Sequence, residues 1–216
     1  MSTDAETEQN SRRSIGARRN PASQEAILDA AEAVLEENGL SGFSVEAVAR
    51  RARAGKPTIY RWWPNRTALM LDVYKRFKNA RTFVDSGTLR GDLIGFLDNQ
   101  LIGFWRGSLC GLVYRAVISE AQNDADAAAA LQAYQADRKS IAVHMIDKAK
   151  ARGEVPDDTD AMLIIDLVVS YAWHQLLLGH LDAAAGQIDS VVDTILKGVV
   201  GYKPQQGATR IKKGGP

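Results

Sequence analysis

An all-α fold is predicted for this 216-residue chain by three observations. Apolar residues recur at three-four spacing along most of its length. No stretch alternates apolar and polar residues between hairpin turn signals. Two short helical segments near the front, at 44–63, give way beyond Gly87 to longer ones. Together they predict a small helix-turn-helix domain over 23–69 and a larger helical body over 70–202. Segments 1–22 and 203–216 read as a disordered basic arm and a disordered tail, and there are no internal repeats.

The first helix is expected over Ser23 to Asn38, with Ile27, Ala30, Ala31, Val34 and Leu35 on one face and Gly39 as a left-handed stop. Ser44 caps the second helix, whose Val45, Val48 and Ala49 pack inward. Gly55 and Pro57 open the third, because a proline in the first turn forfeits no intrahelical hydrogen bond. Pro64 ends it, and Asn65 caps a fourth helix carrying Leu69, Leu71, Val73, Tyr74 and Phe77. Longer helices follow at about 90–105, 108–122, 124–152, 158–179 and 187–201.

Composition narrows the function classes. The hydrophobic content of 45% suffices for a sizeable core. The lone Cys110 cannot form an intrachain disulfide or a thiolate metal site, which fits a reducing cytoplasm and a packing role. The first twenty residues have no apolar stretch before their arginines, so no secretory signal is expected. Arg12, Arg13, Arg18 and Arg19 could equally enter a DNA minor groove or belong to a solvated tail. Ala161 to Leu178 is the nearest thing to a membrane span. Asp166 near its middle would cost roughly 2.5–3.5 kcal/mol on an insertion scale, so burial between two protein surfaces explains it better, and no membrane is expected.

Charge is unevenly distributed behind a net value of +1. Arg50, Arg51, Arg53, Lys56, Arg61, Arg66, Lys75, Arg76, Lys78 and Arg81 have only Asp72 as an acid within their stretch. Residues 82–202 carry sixteen acids against nine bases. Such a run is usually a solvated face; superimposed on a helix-turn-helix it predicts a phosphate-binding surface.

At about 100° per residue, Ile59 and Trp63 share the inner side of the third helix while Pro57 and Arg61 point outward. Arg61 is placed for a bidentate contact to guanine, and Pro57 for a thymine methyl. Thr58, Tyr60 and Trp62 lie on the flanks, facing phosphates, and Lys56 suits either role; for Trp62, core packing is an equal alternative. Arg66, at the start of the fourth helix, belongs to the candidate phosphate-binding stretch, and Ser44 completes the DNA-facing set.

The run Ala52, Lys56, Thr58, Ile59, Tyr60, Trp63, Pro64, Arg66, Ala68 and Leu69 resembles the DNA-binding domain of TetR-family transcriptional regulators, a similarity covering roughly 23–77. This chain departs from the pattern at Arg53, where glycine is usual in the turn, and at Gly55, where a serine cap is frequent. Either position 53 tolerates the demanding conformation without glycine, or the turn shifts it to Gly55. Trp63 and Arg66 replace the usual phenylalanine and lysine.

The resemblance implies a homodimer joined through its last two helices, an operator as partner, and release by a small apolar or aromatic effector. The apolar surplus of 159–179 and 188–200 agrees, and Val169, Leu176, Ile188, Val191, Ile195 and Val199 are the expected interface residues. Phe104, Trp105, Tyr114, His144, Trp173 and His174 are the candidate effector wall. Asp166, Ser170 and His174 form one polar stripe that could line either the cavity or the interface.

An enzyme is not expected. There is no G-x-S-x-G elbow, phosphate loop or dinucleotide fingerprint, and His144, His174 and His180 include no i, i+4 pair, so neither metal nor cofactor is foreseen. A helical adaptor that binds protein instead of DNA is the alternative, separable by the steep salt dependence that only DNA binding requires.

Overall fold

The computed structural model of the chain describes residues 21–79, 83 and 85–201, the last three by backbone alone. The expected basic arm and tail, Arg81, and the side chain of Val199 lie outside the described residues. The helices are α1 (Pro21–Gly42), α2 (Val45–Ala52), α3 (Lys56–Trp62), α4 (Arg66–Asn79), α5 (Leu89–Trp105), α6 (Leu109–Glu120), α7 (Ala125–Ala151), α8 (Ala161–Leu178), α9 (Leu181–Ala185) and α10 (Ile188–Gly201). No strand occurs among the described residues. The short α9 was not foreseen; five residues are too few for periodicity to register.

Two compact units emerge. One comprises the described residues through Asn79 together with Leu112–Leu131; the other comprises those up to Gly111 beyond it and those from Gln132 onward. The division therefore passes through α6 and α7.

In the first unit, α1 packs on α2 and α4, and α2 packs on α3. Ile27, Ala31, Val34 and Leu35 of α1 are buried, as are Val45 and Val48 of α2, Ile59 of α3, and Leu69, Met70 and Val73 of α4. Tyr74 of α4 stacks on Tyr114 of α6 with ring centroids 4.7 Å apart.

The helical run of α1 is broken at Gly39, whose φ of 63° and ψ of −168° lie in a region that a side chain all but forbids. Gly39 is thus more extreme than the left-handed stop expected. It turns the chain so that the last helical residues lead into Phe43, which is buried.

In the second unit, α5 packs on α8, α9 and α10, and α8 on α9 and α10. Thr88 caps α5 by accepting from the Gly91 N–H at 3.2 Å. Buried Asp92 accepts from the Ser86 N–H at 2.7 Å and the Ser86 hydroxyl at 2.8 Å, with the Arg152 guanidinium 3.6 Å away. A buried carboxylate is tolerated because these donors replace its lost water. Arg90 clasps α10 through Asp189 at 2.8 Å and Asp193 at 2.7 Å.

Within α5 the stretch Phe96–Ile102 widens to a π-helix. A Cβ at Gly103 would stand 2.6 Å from the carbonyl oxygen of Asp98, so the wide turn closes only on a glycine. The apolar spacing of 90–105 fits either winding and did not reveal it.

Gly39→Ala should cost about 1–3 kcal/mol of stability through backbone strain alone, because a methyl group there meets no neighbouring atom within 4 Å. Chemical denaturation measures it; an unchanged unfolding midpoint would show that the corner relaxes.

Candidate DNA-binding surface

Caps fix both ends of α2 and the end of α3, while no side chain caps the start of α3. Ser44 accepts from the Ala47 N–H at 3.1 Å, starting α2. Arg53 ends it in the left-handed conformation (φ 51°, ψ 36°), and the next residue's N–H, Ala54, returns to the Ala49 carbonyl at 3.0 Å. Gly55 is ordinary extended backbone at φ −72°. The strained position is therefore 53, occupied by an arginine at a cost of order 1 kcal/mol relative to glycine.

From this turn α3 projects as the sequence predicts. Ile59 and Trp63 are buried; Lys56, Pro57, Tyr60 and Arg61 are exposed; Thr58 and Trp62 are half-buried. Trp63 closes the helix, its N–H donating to the Ile59 carbonyl at 2.9 Å, while its indole Nε1 donates to Asp72 Oδ2 at 2.8 Å. That second bond accounts for tryptophan in place of phenylalanine: Asp72, held also by Lys75 at 3.0 Å, accepts the one polar atom that the larger ring brings. Asn65 caps α4 by accepting from the Ala68 N–H at 2.8 Å, as expected.

The electrostatics require a correction. Counting acids within 50–81 found only Asp72, but the fold brings others in. Arg51 pairs with Glu37 at 2.5 Å, Lys56 with Glu46 at 2.7 Å, and Arg76 with Asp29 at 2.7 Å beside Glu25 and Glu32 at 3.7 Å. Its hydrogen bond to Asp29 raises the Arg76 pKa further, and the Lys56–Glu46 bond likewise raises the lysine and lowers the carboxylate. Lys78 is buried. Arg50 and Arg53, both exposed, have no ion pair among the described residues; exposed Arg61 stands on α3 itself. The positive face is narrower than the charge run suggests.

Arg66 is engaged internally. Its Nε donates to the Phe43 carbonyl and Nη2 to the Leu40 carbonyl, each at 3.1 Å, and Nη1 meets Glu120. The guanidinium carbon also sits 5.6 Å from the Phe43 ring centre. Where the sequence suggested a phosphate, Arg66 meets Glu120, 39 residues beyond the end of the 50–81 stretch.

In the second unit, Phe104 and Trp105 are buried and Trp173 is half-buried. Of the remaining residues of the expected effector wall, Tyr114 stacks on Tyr74 in the first unit, and His144 and His174 are exposed. Nδ1 of His144 is 2.9 Å from the Ser140 carbonyl of its own helix. Two polar groups that sequence reasoning missed are Gln100 on the π-helical stretch, fully buried, and Arg138 of α7, which donates to it at 3.3 Å and lies 5.3 Å from the Phe83 ring centre. Arg138 follows buried Leu131 and Tyr134 and precedes buried Ala142, so a charge at that register was the available signal.

The expected dimer residues also separate. Leu176 and Ile188 are buried within the protomer, Val169 is half-buried, and Val191 and Ile195 line an open groove of about 500 Å³ with Leu167 and Tyr171. The outward stripe of α8 is Leu163, Leu167, Ser170, His174 and Leu177, with Leu163 55% and Leu167 50% exposed. Ser170 and His174 thus face outward, while Asp166 pairs with Lys139. In a helix apolar nearly all round, periodicity shows two stripes but not which one the core takes.

Trp63→Phe should cost about 1 kcal/mol, the net worth of the lost indole bond to Asp72, with the ring still filling its place. Thermal unfolding of the two proteins checks this, and Asp72→Asn should recover none of the loss.

Comparison with known proteins covers both units. A family model described as "Bacterial regulatory proteins, tetR family" matches residues 27–73, and one described as "Tetracyclin repressor-like, C-terminal domain" matches residues 83–195. A DNA-binding transcriptional repressor named TetR from Mycobacteroides abscessus is 33% identical over 176 residues, spanning 79% of this chain and 90% of that protein. An uncharacterized regulator, YdeS of Bacillus subtilis, is 27% identical over 85% of this chain and 93% of its own length. Among solved structures, the TetR family transcription regulator SCO0332 superposes with a TM-score of 0.70 at 27% identity, covering 82% of this chain and 98% of that one. The exposed face of α3 and the matches on either side of it lead to one conclusion: the chain belongs to the TetR family and is a DNA-binding transcriptional regulator.

Proposed function

We propose that this regulator is a cytoplasmic, non-catalytic repressor, a homodimer that reads operator DNA through α3 and leaves it when a small apolar or aromatic effector binds the second unit. The observation that carries the reading is the side-by-side arrangement on α3 of a buried anchor, Ile59, and an exposed base-reading face, Pro57 and Arg61, with exposed Tyr60 on the flank that faces phosphate. Residues 23–69 are the DNA-binding domain in this reading and 70–202 the effector and dimerisation domain. Ser44, Lys56, Thr58 and half-buried Trp62 contact the sugar-phosphate backbone, with Lys56 exchanging exposed Glu46 for a phosphate.

Dimerisation is assigned to the outward stripe of α8 and the neighbouring groove of α10. Apolar side chains this exposed and contiguous mark an association surface, and a two-fold axis would bring Leu163, Leu167, Val191 and Ile195 against their own copies. The effector is assigned to the interior of the second unit, where Phe104, Trp105 and Trp173 supply apolar wall and Gln100 with Arg138 supply the few polar groups that orient a ligand. Release then requires that the effector bind the DNA-free state more tightly, and a coupling of roughly 1–3 kcal/mol gives a five- to 150-fold change.

Selection from a random duplex library identifies the operator. On that sequence Arg61→Ala should lose roughly 1–3 kcal/mol and accept more than one base at a single position, with little loss on unselected duplex. Equal losses on both would assign Arg61 to phosphate. Ile195→Glu should sediment as a monomer with unchanged helical content and no operator binding, because a single half-site holds too few contacts; a dimeric variant would move the interface elsewhere.

A further inference from the structure

We infer that Arg66 and Glu120 are positioning residues for DNA binding: the pair locks the α1–α2 corner to the start of α4 behind the recognition helix, and Arg66 makes no phosphate contact. The inference rests on DNA binding by the first unit, which contains both residues.

The geometry leaves Arg66 little capacity for DNA. Its three nitrogens address three different partners: the Phe43 carbonyl, the Leu40 carbonyl and Glu120. Both carbonyls belong to the corner that follows the break at Gly39, where the Leu40 carbonyl also accepts from the Phe43 N–H at 3.3 Å. Phe43 is buried under the guanidinium and directly precedes Ser44, the cap of α2. The other carboxylate oxygen of Glu120 accepts from the hydroxyl of Thr67, which is 3% exposed. One acid therefore holds two consecutive residues of the first turn of α4, and one of those holds the entry to α2. The turn and α3 lie in sequence between these two fixed points, so the pair sets where α3 stands.

Phosphate binding by Arg66 would require Glu120 to give way, stranding Thr67 and leaving a half-buried carboxylate beside the incoming anion. The paired charges also cancel, so the pair releases no counterions when DNA binds. Lysine, frequent at this position in the family, offers one point charge and serves a phosphate well; its three donors share a single nitrogen and do not reproduce the separate bonds that Nε, Nη1 and Nη2 make to two carbonyls and a carboxylate.

The test uses the full-length protein and a random-sequence duplex long enough for two half-sites. Affinity is measured across a salt series for wild type, Arg66→Gln, Arg66→Lys and Glu120→Gln, each checked for helical content. Weakened binding in all three variants, with the slope of log K against log salt equal to that of wild type, is expected. A phosphate role gives the opposite pattern: Arg66→Gln lowers the slope by about 1.8 for two copies, Arg66→Lys binds as wild type, and Glu120→Gln binds more tightly. Any of those three results overturns the inference, as does wild-type affinity in Glu120→Gln.

Hydrogen exchange in the absence of DNA supplies a second readout. Glu120→Gln, nearly isosteric and the variant least disruptive to folding, should lower protection at Phe43 to Val48 and in the first turn of α4, leaving α8 unchanged. Unaltered exchange there overturns the positioning role whatever the DNA affinity shows, and normal loosening combined with no duplex binding by wild type would instead fault the DNA-binding reading.

Discussion

Seven residues cannot sustain a helix in water, because one or two turns never recover the cost of nucleation. That constraint governs the first unit. Recognition helix α3 exists only because Ile59 and Trp63 insert into the core made by α1, α2 and α4. The neighbouring residues serve that insertion: the left-handed Arg53 aims the chain, and Trp63 caps the end and reaches Asp72 on α4. Because the buried side is fixed so tightly, the opposite side can remain exposed without any loss of order.

Much of this was legible in residues. Periodicity and proline placement give the four front helices, and Asn65 and Ser44 are the caps that their chemistry demands. The inner and outer faces of α3 follow from helix geometry alone. Of the two ways to place the strained turn residue, the chain uses the one that keeps arginine in the left-handed conformation. What the sequence could not show were relations between distant segments. Glu37, Glu46, Glu25 and Asp29 precede the basic run and Glu120 follows it by a long interval; only the fold makes them partners. A window of sequence counts charges, whereas the field depends on distances.

The second unit was harder to read for a different reason. Where a helix has apolar residues on nearly every side, the pattern that distinguishes core from surface is absent. Leu176 and Ile188 are interior, while Leu163, Leu167 and Leu177, just as apolar, are outside. The π-helical stretch is silent in sequence as well, for it depends on a close approach that only Gly103 allows. Grouping aromatic and histidine residues by abundance ignores the side each one faces: His144 and His174 are exposed, and Tyr114 stacks on Tyr74.

The outward leucines of α8 tie the rear of the molecule to its abundance. A chain that exposes half of Leu163 and Leu167 is less stable alone than with that stripe covered. When a second copy provides the cover, folding and association share one equilibrium, and each protomer becomes sturdier as more of them are made. Synthesis rate then acts twice, on the number of molecules and on the fraction of them that persist, so occupancy of DNA rises more steeply than the amount of protein. Dilution works in the opposite sense: where the DNA is far from saturated, halving the stock of such a self-covering protein would remove more than half of the bound complex.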